Sequence, residues 1–389
     1  MNMVIKKEMN KLYEVKDQKQ REALNRWAAT GAVGSIVAGT GFGKSRCGVL
    51  ATKWALKDGG KALVLVPTTQ LQAQFEEEFE KWGAADLLDR VDIVCYQSAY
   101  KLFDEHYTIV VCDEIHLGLS EQYRKFFQNN TYDKLLCMTA TVPEDEDYRN
   151  YLMHLAPIRF HLSLDECVAL GLVSPYEIVC IPLELNDADK AEYKAAQLKF
   201  VRSKYLIGEF DTFTAAKKIL AKQMQGDMGA AKRFFQAIRE RTNVINHATV
   251  KIDKAKELIK QHANDKILVF TGSNKFSDAM ADSLDAFVYH SGLTKKQREK
   301  SLDDFRGKDG SVLCSTKALN QGFDVPDASV GIIAGLNSKS LPMIQRVGRL
   351  LRLSTNDKVG KIYIVYIKDS QEEKWLKNAV KTLNNVTWL

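Results

Sequence analysis

The sequence lacks the features that mark membrane-spanning, secreted and zinc-binding proteins. No apolar run approaches the ~18 residues that a membrane span needs, and the start, MNMVIKKEMNK, has no apolar signal-peptide core. The seven cysteines are scattered without a C-x-x-C pair, which argues against a zinc site and a disulfide framework. Most of them lie in apolar runs, where a thiol behaves as a small hydrophobe. We therefore expect a cytoplasmic protein that uses neither a membrane nor zinc.

The sequence also lacks a large excess of either charge sign, because its net charge is only +6 over 389 residues. This length, with 45% hydrophobic and 27% charged residues, favours a globular chain of two domains plus an insertion. The charge is uneven, because residues 190–264 contain 16 Lys+Arg and 7 Asp+Glu. Such a segment suits contact with a polyanion. A solvated face of surface helices explains the charge equally well.

Short apolar runs alternate with helical patterns in two parts of the chain, 33–143 and 266–367. Strands that are buried on both faces and separated by helices are typical of a parallel, doubly wound α/β sheet. The stretch between them has helical spacing and few turn residues. We predict an α/β protein with two parallel-sheet domains, 1–160 and 161–389, the second interrupted by a helical insertion at about 187–263. The run VSPYEIVCIPLEL is expected to contain the first strand of the second domain.

The loop AGTGFGKS follows the first predicted strand and precedes a predicted helix. Its glycines allow backbone amides to turn inward around anionic oxygens. Lys44 adds a point charge for phosphates, and Ser45 adds a hydroxyl for Mg²⁺. The spacing predicts a nucleoside triphosphate site, and the alternative is a flexible glycine turn. The predicted contacts of this loop are Gly39, Thr40, Gly41, Gly43, Lys44 and Ser45.

An acidic pair ends a later apolar strand, VVCDEIH, about seventy residues after the glycine loop. At the carboxyl edge of a parallel sheet, Asp113 is placed to hold Mg²⁺ and Glu114 to polarise an attacking water. Taken alone, such a pair is more often a surface turn. In MTATVP, Thr139 and Thr141 supply hydroxyls that could bridge the nucleotide site to another surface.

A basic segment near the C-terminus, IQRVGRLLR, places Arg349 and Arg352 three residues apart. On a helix they share a face, from which they could reach the γ-phosphate of a bound nucleotide. An ordinary amphipathic basic helix is the alternative interpretation.

In order, AGTGFGKS, VPTTQLQAQF, DEIH, TAT, LVFTGS, STKALNQGFDVPD and QRVGRLLR resemble the motifs of superfamily-two DExH helicases and translocases. The later motifs look most like those of UvsW-like phage helicases, XPB-like helicases and restriction-enzyme motor subunits. The resemblance implies two RecA-like domains with ATP and Mg²⁺ between them and nucleic acid across both. If a phage encodes the chain, the expected location is the host cytoplasm.

The resemblance also implies a role for particular residues. Asp113 and Glu114 would be metal ligand and general base, and His116 would couple the nucleotide to the strand. Gln20 matches an adenine-reading glutamine, although Lys19 stands where relatives commonly carry an aromatic residue. The implied nucleotide contacts of the second domain are Gly322, Asp324, Gln345, Arg349 and Arg352. The implied nucleic-acid contacts are Thr68, Ser98, Thr271, Ser315 and Thr316.

From this we expect a monomeric, DNA-stimulated ATPase that moves along a strand and remodels duplex or branched DNA in recombination, repair or replication. An RNA helicase and a non-hydrolysing nucleic-acid clamp on the same fold are the alternatives. The charge of the insertion adds a hypothesis of its own, in which Lys232, Arg233 and Arg239 grip the duplex. Further cations predicted on the same helices are Lys217, Lys218, Lys222 and Arg241.

Overall fold

The fold is taken from a computed structural model. It describes residues 2–39, 41–143, 145–172, 175–208, 211–316, 328–337, 344, 359–381 and 383–389, with side chains from residue 13 onward except at 164. Described residues up to Pro175 form one unit, and those from Tyr176 onward form a second. In this part of the chain, no helix combines the length and apolar character that a membrane span requires.

The first unit is a parallel sheet with helices on both faces. Its strands are β1 (Val33–Ala38), β2 (Ala62–Val66), β3 (Val91–Cys95), β4 (His106–Cys112), β5 (Thr131–Thr139) and β6 (Ile158–Leu162). Its helices are α1 (Asn2–Ala29), α2 (Lys44–Ala55), α3 (Thr69–Lys81), α4 (Tyr96–Ala99), α5 (Glu121–Asn129), α6 (Glu146–Leu155) and α7 (Leu164–Ala169), with 3-10 helices at Ala85–Arg90 and Ile115–Leu117. Among described residues, the strand order is β3-β2-β4-β5-β1-β6, and every pairing is parallel.

The two faces of this sheet explain its apolar strands. On β2, Val64 belongs to a core that includes Trp27 of α1 and Phe75 of α3. Its neighbour Leu63 belongs to the core on the other face, with Phe126 of α5. Because successive side chains point to opposite faces, a strand covered on both sides is apolar throughout.

The second unit is also a parallel sheet. Its strands are β7 (Tyr176–Leu183), β8 (Lys266–Phe270), β9 (Phe287–Tyr289), β10 (Val312–Ser315), β11 (Ala328–Ile333), β12 (Gly360–Ile367) and β13 (Val386–Trp388). Its helices are α8 (Asp187–Ile207), α9 (Thr212–Leu220), α10 (Met228–Asn246), α11 (Val250–Gln261), α12 (Asn274–Leu284), α13 (Lys295–Gly307) and α14 (Gln371–Val380). In the described residues the strand order is β13-β7-β12-β11-β8-β10-β9. The predicted class, two parallel α/β sheets in one chain, is confirmed.

The boundary between the units differs from the predicted one at 160/161, which falls inside β6. Strand β6 pairs with β1, so it completes the first sheet. The segment after it also belongs to the first unit, because Cys167 and Leu172 pack into the core that contains Trp27. The boundary between the units in the sequence therefore lies between Pro175 and Tyr176. As expected, the run after this point forms the first strand of the second unit, β7.

The helical insertion that the structure shows is shorter than the predicted one, 187–263. Helices α8, α9 and α10 share a small core of their own, in which Ile219 and Phe234 are buried. Helix α11 instead packs on the second sheet through Ile252, Ala255 and Leu258. The name helical insertion is used below for α8–α10 only.

Candidate functional site

The glycine loop connects β1 to α2, as its sequence predicts. Gly41 and Gly43 have φ of 87° and 85°, a left-handed conformation that side chains rarely adopt. Gly43 also lies so close to the Gln20 carboxamide that a Cβ would collide with it. The loop therefore requires glycine at 43 for two separate reasons. Thr40 lies outside the described residues.

Lys44 opens helix α2 and is buried, with 8% of its surface exposed. Its Nζ donates a hydrogen bond of 3.1 Å to the carbonyl of Ala38. The ammonium is thereby held at the carboxyl end of β1, at the positive N-terminus of a helix. Ser45 follows it in the first turn and is half-buried.

Asp113 lies directly after β4, as expected for the acidic pair, and it is buried. Its amide donates to the carbonyl of Leu65 (2.8 Å), and its carbonyl accepts from the Tyr96 hydroxyl (2.9 Å). Burial raises the pKa of its carboxyl to about 7, repulsion from Glu114 adds to the increase, and Lys44 opposes it. A buried carboxyl with this balance of charge favours a bound cation.

Glu114 turns the chain sharply, with a φ of 47° that is unusual for a residue with a side chain. Two residues later, Nδ1 of His116 lies 3.3 Å from Glu114 Oε2 and 2.9 Å from Thr139 Oγ1. Because a carboxylate oxygen only accepts hydrogen bonds, this position favours the tautomer with the proton on Nδ1. The imidazole thus connects the acidic pair to the end of β5.

Thr139 extends this connection. It is buried at the end of β5, and its hydroxyl contacts the backbone of Thr141 through the carbonyl (3.0 Å) and the amide (3.3 Å). The predicted bridge from the nucleotide site therefore has a structural basis as far as Thr141.

The oxygen ligands available for Mg²⁺ are the Ser45 hydroxyl and the Asp113 carboxylate. Both belong to the hard donors that Mg²⁺ prefers, and this ion usually takes one or two carboxylates plus phosphates and water. The raised pKa of Asp113 comes from burial and a neighbouring carboxylate. A divalent cation would relieve both effects, so these residues fit the ion.

A polar cluster behind the loop was not predicted. The Gln20 carboxamide donates to the carbonyls of Phe42 (2.6 Å) and Gly43 (3.3 Å), and its oxygen accepts from Arg46. Arg46 also bonds Asp17 at 2.6 Å and stacks over Trp82, with 4.4 Å to the ring centroid. The hydrogen bond from Arg46 keeps the pKa of Asp17 below its usual value.

Gln20 is fully buried and bonded at both ends of its carboxamide. The structure thus gives it a role in supporting the loop, and its reading of adenine stays a prediction. The signal that could have revealed this cluster is the arginine two residues after the loop lysine, together with an acidic residue one helical turn from Gln20.

Two predicted nucleic-acid contacts of the first unit lie together. Thr68 caps α3 and Ser98 lies in α4, and both are exposed. They line one surface groove of about 540 Å³, together with Gln72 and Gln97. The groove also exposes the N-terminus of α3, which suits a backbone phosphate.

The predicted contacts of the second unit are less accessible. Thr271 and Ser315 follow or end neighbouring strands, β8 and β10, and are 3% and 0% exposed. Their hydroxyls donate to backbone carbonyls, from Thr271 to Ser273 (3.1 Å) and from Ser315 to Tyr289 (2.8 Å). Thr316 is also buried and bonds Asn274 at 3.0 Å. Contact through these side chains is not supported by this arrangement, because they are directed into the protein; contact through nearby amides stays a prediction.

Several predicted residues lie outside the described part of the chain. They are Gly322, Asp324, Gln345, Arg349 and Arg352.

The basic residues of the helical insertion divide into two groups. Lys232, Arg233 and Arg239 on α10 are exposed, as their hypothesis requires. Arg241 is not a surface cation, since it is 7% exposed, lies 4.2 Å from the Phe200 ring centroid and bonds Gln371. The expectation that it faces solvent or a polyanion is wrong.

Two family models match the chain. "Type III restriction enzyme, res subunit" matches residues 14–144, and "Helicase conserved C-terminal domain" matches residues 250–354. The first match contains the glycine loop and the acidic pair, and the second contains the basic segment with Arg349 and Arg352. Together the two matches cover more than half of the chain.

Relatives of known name are similar over most of the chain. The "DNA 3'-5' translocase XPB2" of Sulfurisphaera tokodaii is 28% identical over 351 residues, covering 86% of this chain and 77% of that protein. The "DNA 3'-5' helicase XPB" of Kineococcus radiotolerans is 24% identical, covering 94% of this chain and 62% of that protein.

Among solved structures, the Hef helicase domain of Pyrococcus furiosus has a TM-score of 0.57 at 16% identity, covering 91% of this chain and 96% of that one. A likeness at this identity supports the fold, in which the two sheets correspond to tandem RecA-like domains. The family models, the site geometry and this structural likeness all agree with the resemblance that the motifs indicate. The chain belongs to the superfamily-two helicases and translocases, with similarity to their XPB-like and restriction-enzyme branches.

Proposed function

We propose that this protein is an ATP-dependent DNA helicase or translocase of the DExH type. One observation carries the proposal: the glycine loop, Lys44, the buried Asp113 and the half-buried Glu114 lie at the carboxyl edge of one parallel sheet. This is where α/β proteins bind nucleotides. The names of the similar proteins, a DNA translocase and a DNA helicase, support the choice of substrate.

The first unit binds and orients the triphosphate. The loop amides and the N-terminus of α2 hold phosphate oxygens, and Lys44 adds its charge to the β- and γ-phosphates. Ser45 and Asp113 would hold Mg²⁺, which neutralises phosphate charge when bound. Glu114 orients the attacking water and accepts its proton.

Hydrolysis must alter the grip on DNA. His116 contacts both the water-activating Glu114 and Thr139, so a change at the nucleotide reaches the end of β5 through two contacts. We infer that Thr68 and Ser98, in their shared groove, hold phosphates of one strand. Gln345, Arg349 and Arg352 are proposed to act on the γ-phosphate and to be required for turnover.

An RNA helicase is the second candidate, because contacts to backbone phosphates distinguish DNA from RNA only where a 2′-hydroxyl is read. The relevant experiment measures phosphate release with single-stranded DNA, duplex, a fork, a four-way junction and matched RNA. We expect DNA to raise turnover and RNA to raise it less. Equal stimulation by RNA would favour the second candidate, and no hydrolysis with any of them would leave only a nucleic-acid clamp.

A further inference from the structure

At the start of α14, Gln371 connects the helical insertion to the second sheet. Its carboxamide nitrogen donates to the Thr242 hydroxyl at 2.9 Å, and its oxygen accepts from Arg241. Its backbone amide donates to the Tyr193 hydroxyl at 3.3 Å. Tyr193 lies on α8, and the other two residues lie on α10, so Gln371 contacts both long helices of the insertion.

The next residue, Glu372, connects the same point to the ends of two strands. It is fully buried and pairs with Lys251 at 2.8 Å. One carboxylate oxygen accepts from the amide of Leu336 (3.2 Å), and the other from the amide of Ile367 (2.9 Å). Lys251 also donates to the carbonyl of Ala334 at 2.9 Å.

These contacts hold the backbone just after β11 at two points, Ala334 and Leu336. Both partners there are charged and desolvated, so their hydrogen bonds are stronger and more costly to lose than neutral ones. The chain continues from Leu336 into the segment that contains Gln345, Arg349 and Arg352. A shift of α14 would therefore displace the backbone at Ala334 and Leu336.

Apolar packing also connects the helical insertion to the second sheet. Ile245 at the end of α10 shares a buried cluster with Ile367 at the end of β12. Arg241 has its guanidinium over Phe200, so Gln371 supplies a polar partner in a buried place. Because these contacts are close, a displacement of α10 would also displace the start of α14.

We propose that Gln371 and Glu372 are positioning residues, through which the helical insertion sets the placement of the backbone at the end of β11, at Ala334 and Leu336. The inference deepens the proposed function, and its catalytic consequence rests on it. When DNA is bound at the insertion, the network passes the change to the end of β11, which precedes the predicted arginines in the sequence, and turnover rises.

The structural part is tested by hydrogen exchange on the full chain, without nucleotide or DNA. In Gln371→Met, amides of residues 334–336 should exchange roughly tenfold faster than in the parent, because their anchor is loosened. The matched control is Lys374→Met, an exposed position on the same helix that should leave exchange unchanged. Parent-like protection in Gln371→Met would overturn the linkage, whether or not the protein hydrolyses ATP.

The catalytic part is tested by ATP turnover with and without forked DNA. Gln371→Met should keep the basal kcat and the KM values for ATP and DNA, while DNA stimulation falls roughly 3- to 30-fold. Arg241→Met should share the loss, and the double variant should be no worse than either single one. Gln371→Glu, which keeps an acceptor for Arg241, should retain most of the stimulation.

Equal falls in basal and stimulated kcat would reduce the network to a structural role and overturn the proposal. Thr242→Val is the milder second variant, and a thermal unfolding scan checks that each variant is folded. A parent protein that DNA does not stimulate would instead overturn the proposed function, and the exchange experiment would still decide the linkage.

Discussion

Each α/β unit buries a lysine near a carboxylate at the carboxyl ends of its strands, and the two clusters differ in charge balance. In the first unit, Lys44 opposes the raised pKa of Asp113, which burial and the adjacent Glu114 together bring to about 7. In the second, Lys251 pairs directly with Glu372, and backbone groups take the carboxylate's other contacts.

The difference separates a binding site from an anchor. The first cluster has more negative than positive charge at its acidic pair, and this balance suits a bound cation. The second is an ion pair of 2.8 Å with both side chains fully buried, and it gains nothing from a ligand. A buried pair of this kind is costly to break and adds little stability over an apolar replacement.

The largest effect is expected from the first cluster. Lys44→Ala and Glu114→Gln should both abolish measurable hydrolysis, because Lys44 holds the phosphates and a general base contributes ~10²–10⁴-fold. Glu114→Gln should still bind ATP, since its role lies in the transition state. Phosphate release and nucleotide titration measure the two properties.

Lys53→Met is the control, because Lys53 lies on the same helix but bonds only at the surface, to the Gly83 carbonyl. Near-parent turnover in Glu114→Gln would refute the general-base assignment.

Next in size are the arginines that are predicted to act on the nucleotide. Arg349→Ala or Arg352→Ala should lower kcat by about 10³ with little change in ATP affinity, the loss typical of an arginine that acts on the transition state. Arg306→Ala, an exposed arginine on α13, is the control and should behave like the parent. Steady-state kinetics that show no change in either variant would exclude both residues from the site.

The second cluster should respond in stability rather than in ATP binding. Lys251→Met leaves a buried carboxylate without its cation and should cost about 3–5 kcal/mol of unfolding free energy. The paired change Lys251→Met with Glu372→Leu should recover much of that loss, because no buried charge remains. Urea unfolding, followed by tryptophan fluorescence, measures both. A larger loss in the double variant than in the single one would contradict the anchor interpretation.

The pH dependence of Lys251→Met sharpens the same test. Burial raises the pKa of Glu372 from 4.5, and Lys251 opposes that increase. Without the lysine, the folded state binds a proton that the unfolded state releases. Relative to the parent, stability should therefore fall more steeply as pH rises above about 4.5, with an added slope of up to ~1.4 kcal/mol per pH unit. Lys251→Met with Glu372→Gln should lack this added slope.

The smallest effect is expected at the helical insertion, where charge is exposed and screened. Changing Lys232, Arg233 and Arg239 together to alanine should weaken binding to forked DNA and a junction. The slope of log affinity against log salt concentration should flatten by about 0.9 for each phosphate that is no longer neutralised. ATP hydrolysis without DNA should survive. The measurement is a binding series across salt concentrations, and unchanged slope and affinity would make these helices a solvated scaffold.

Local patterns predicted where the glycine loop and the acidic pair lie in the fold. Strand β1, the loop and helix α2 follow one another within 23 residues, so glycine spacing and the next helix suffice to place Lys44 and Ser45. The acidic pair was equally predictable, because an apolar strand must end at the sheet edge. Strands β6 and β13 were missed, since IRFHL and VTW are short and mix polar with apolar residues.

The sequence by itself determined which side chains are candidates for the chemistry. The glycine loop with its lysine, and the acidic pair at the end of a strand, are placed by local backbone geometry, so their spacing along the chain is enough to identify them. Only the tertiary structure decided which of them are accessible. Thr68 and Ser98 share an exposed groove, whereas Thr271 and Ser315 are buried. Likewise, Arg241 and Lys251 occur among many surface cations in a basic stretch. Their burial depends on partners about 120 to 130 residues away, Gln371 and Glu372, and spacing along one helix carries no information about such contacts.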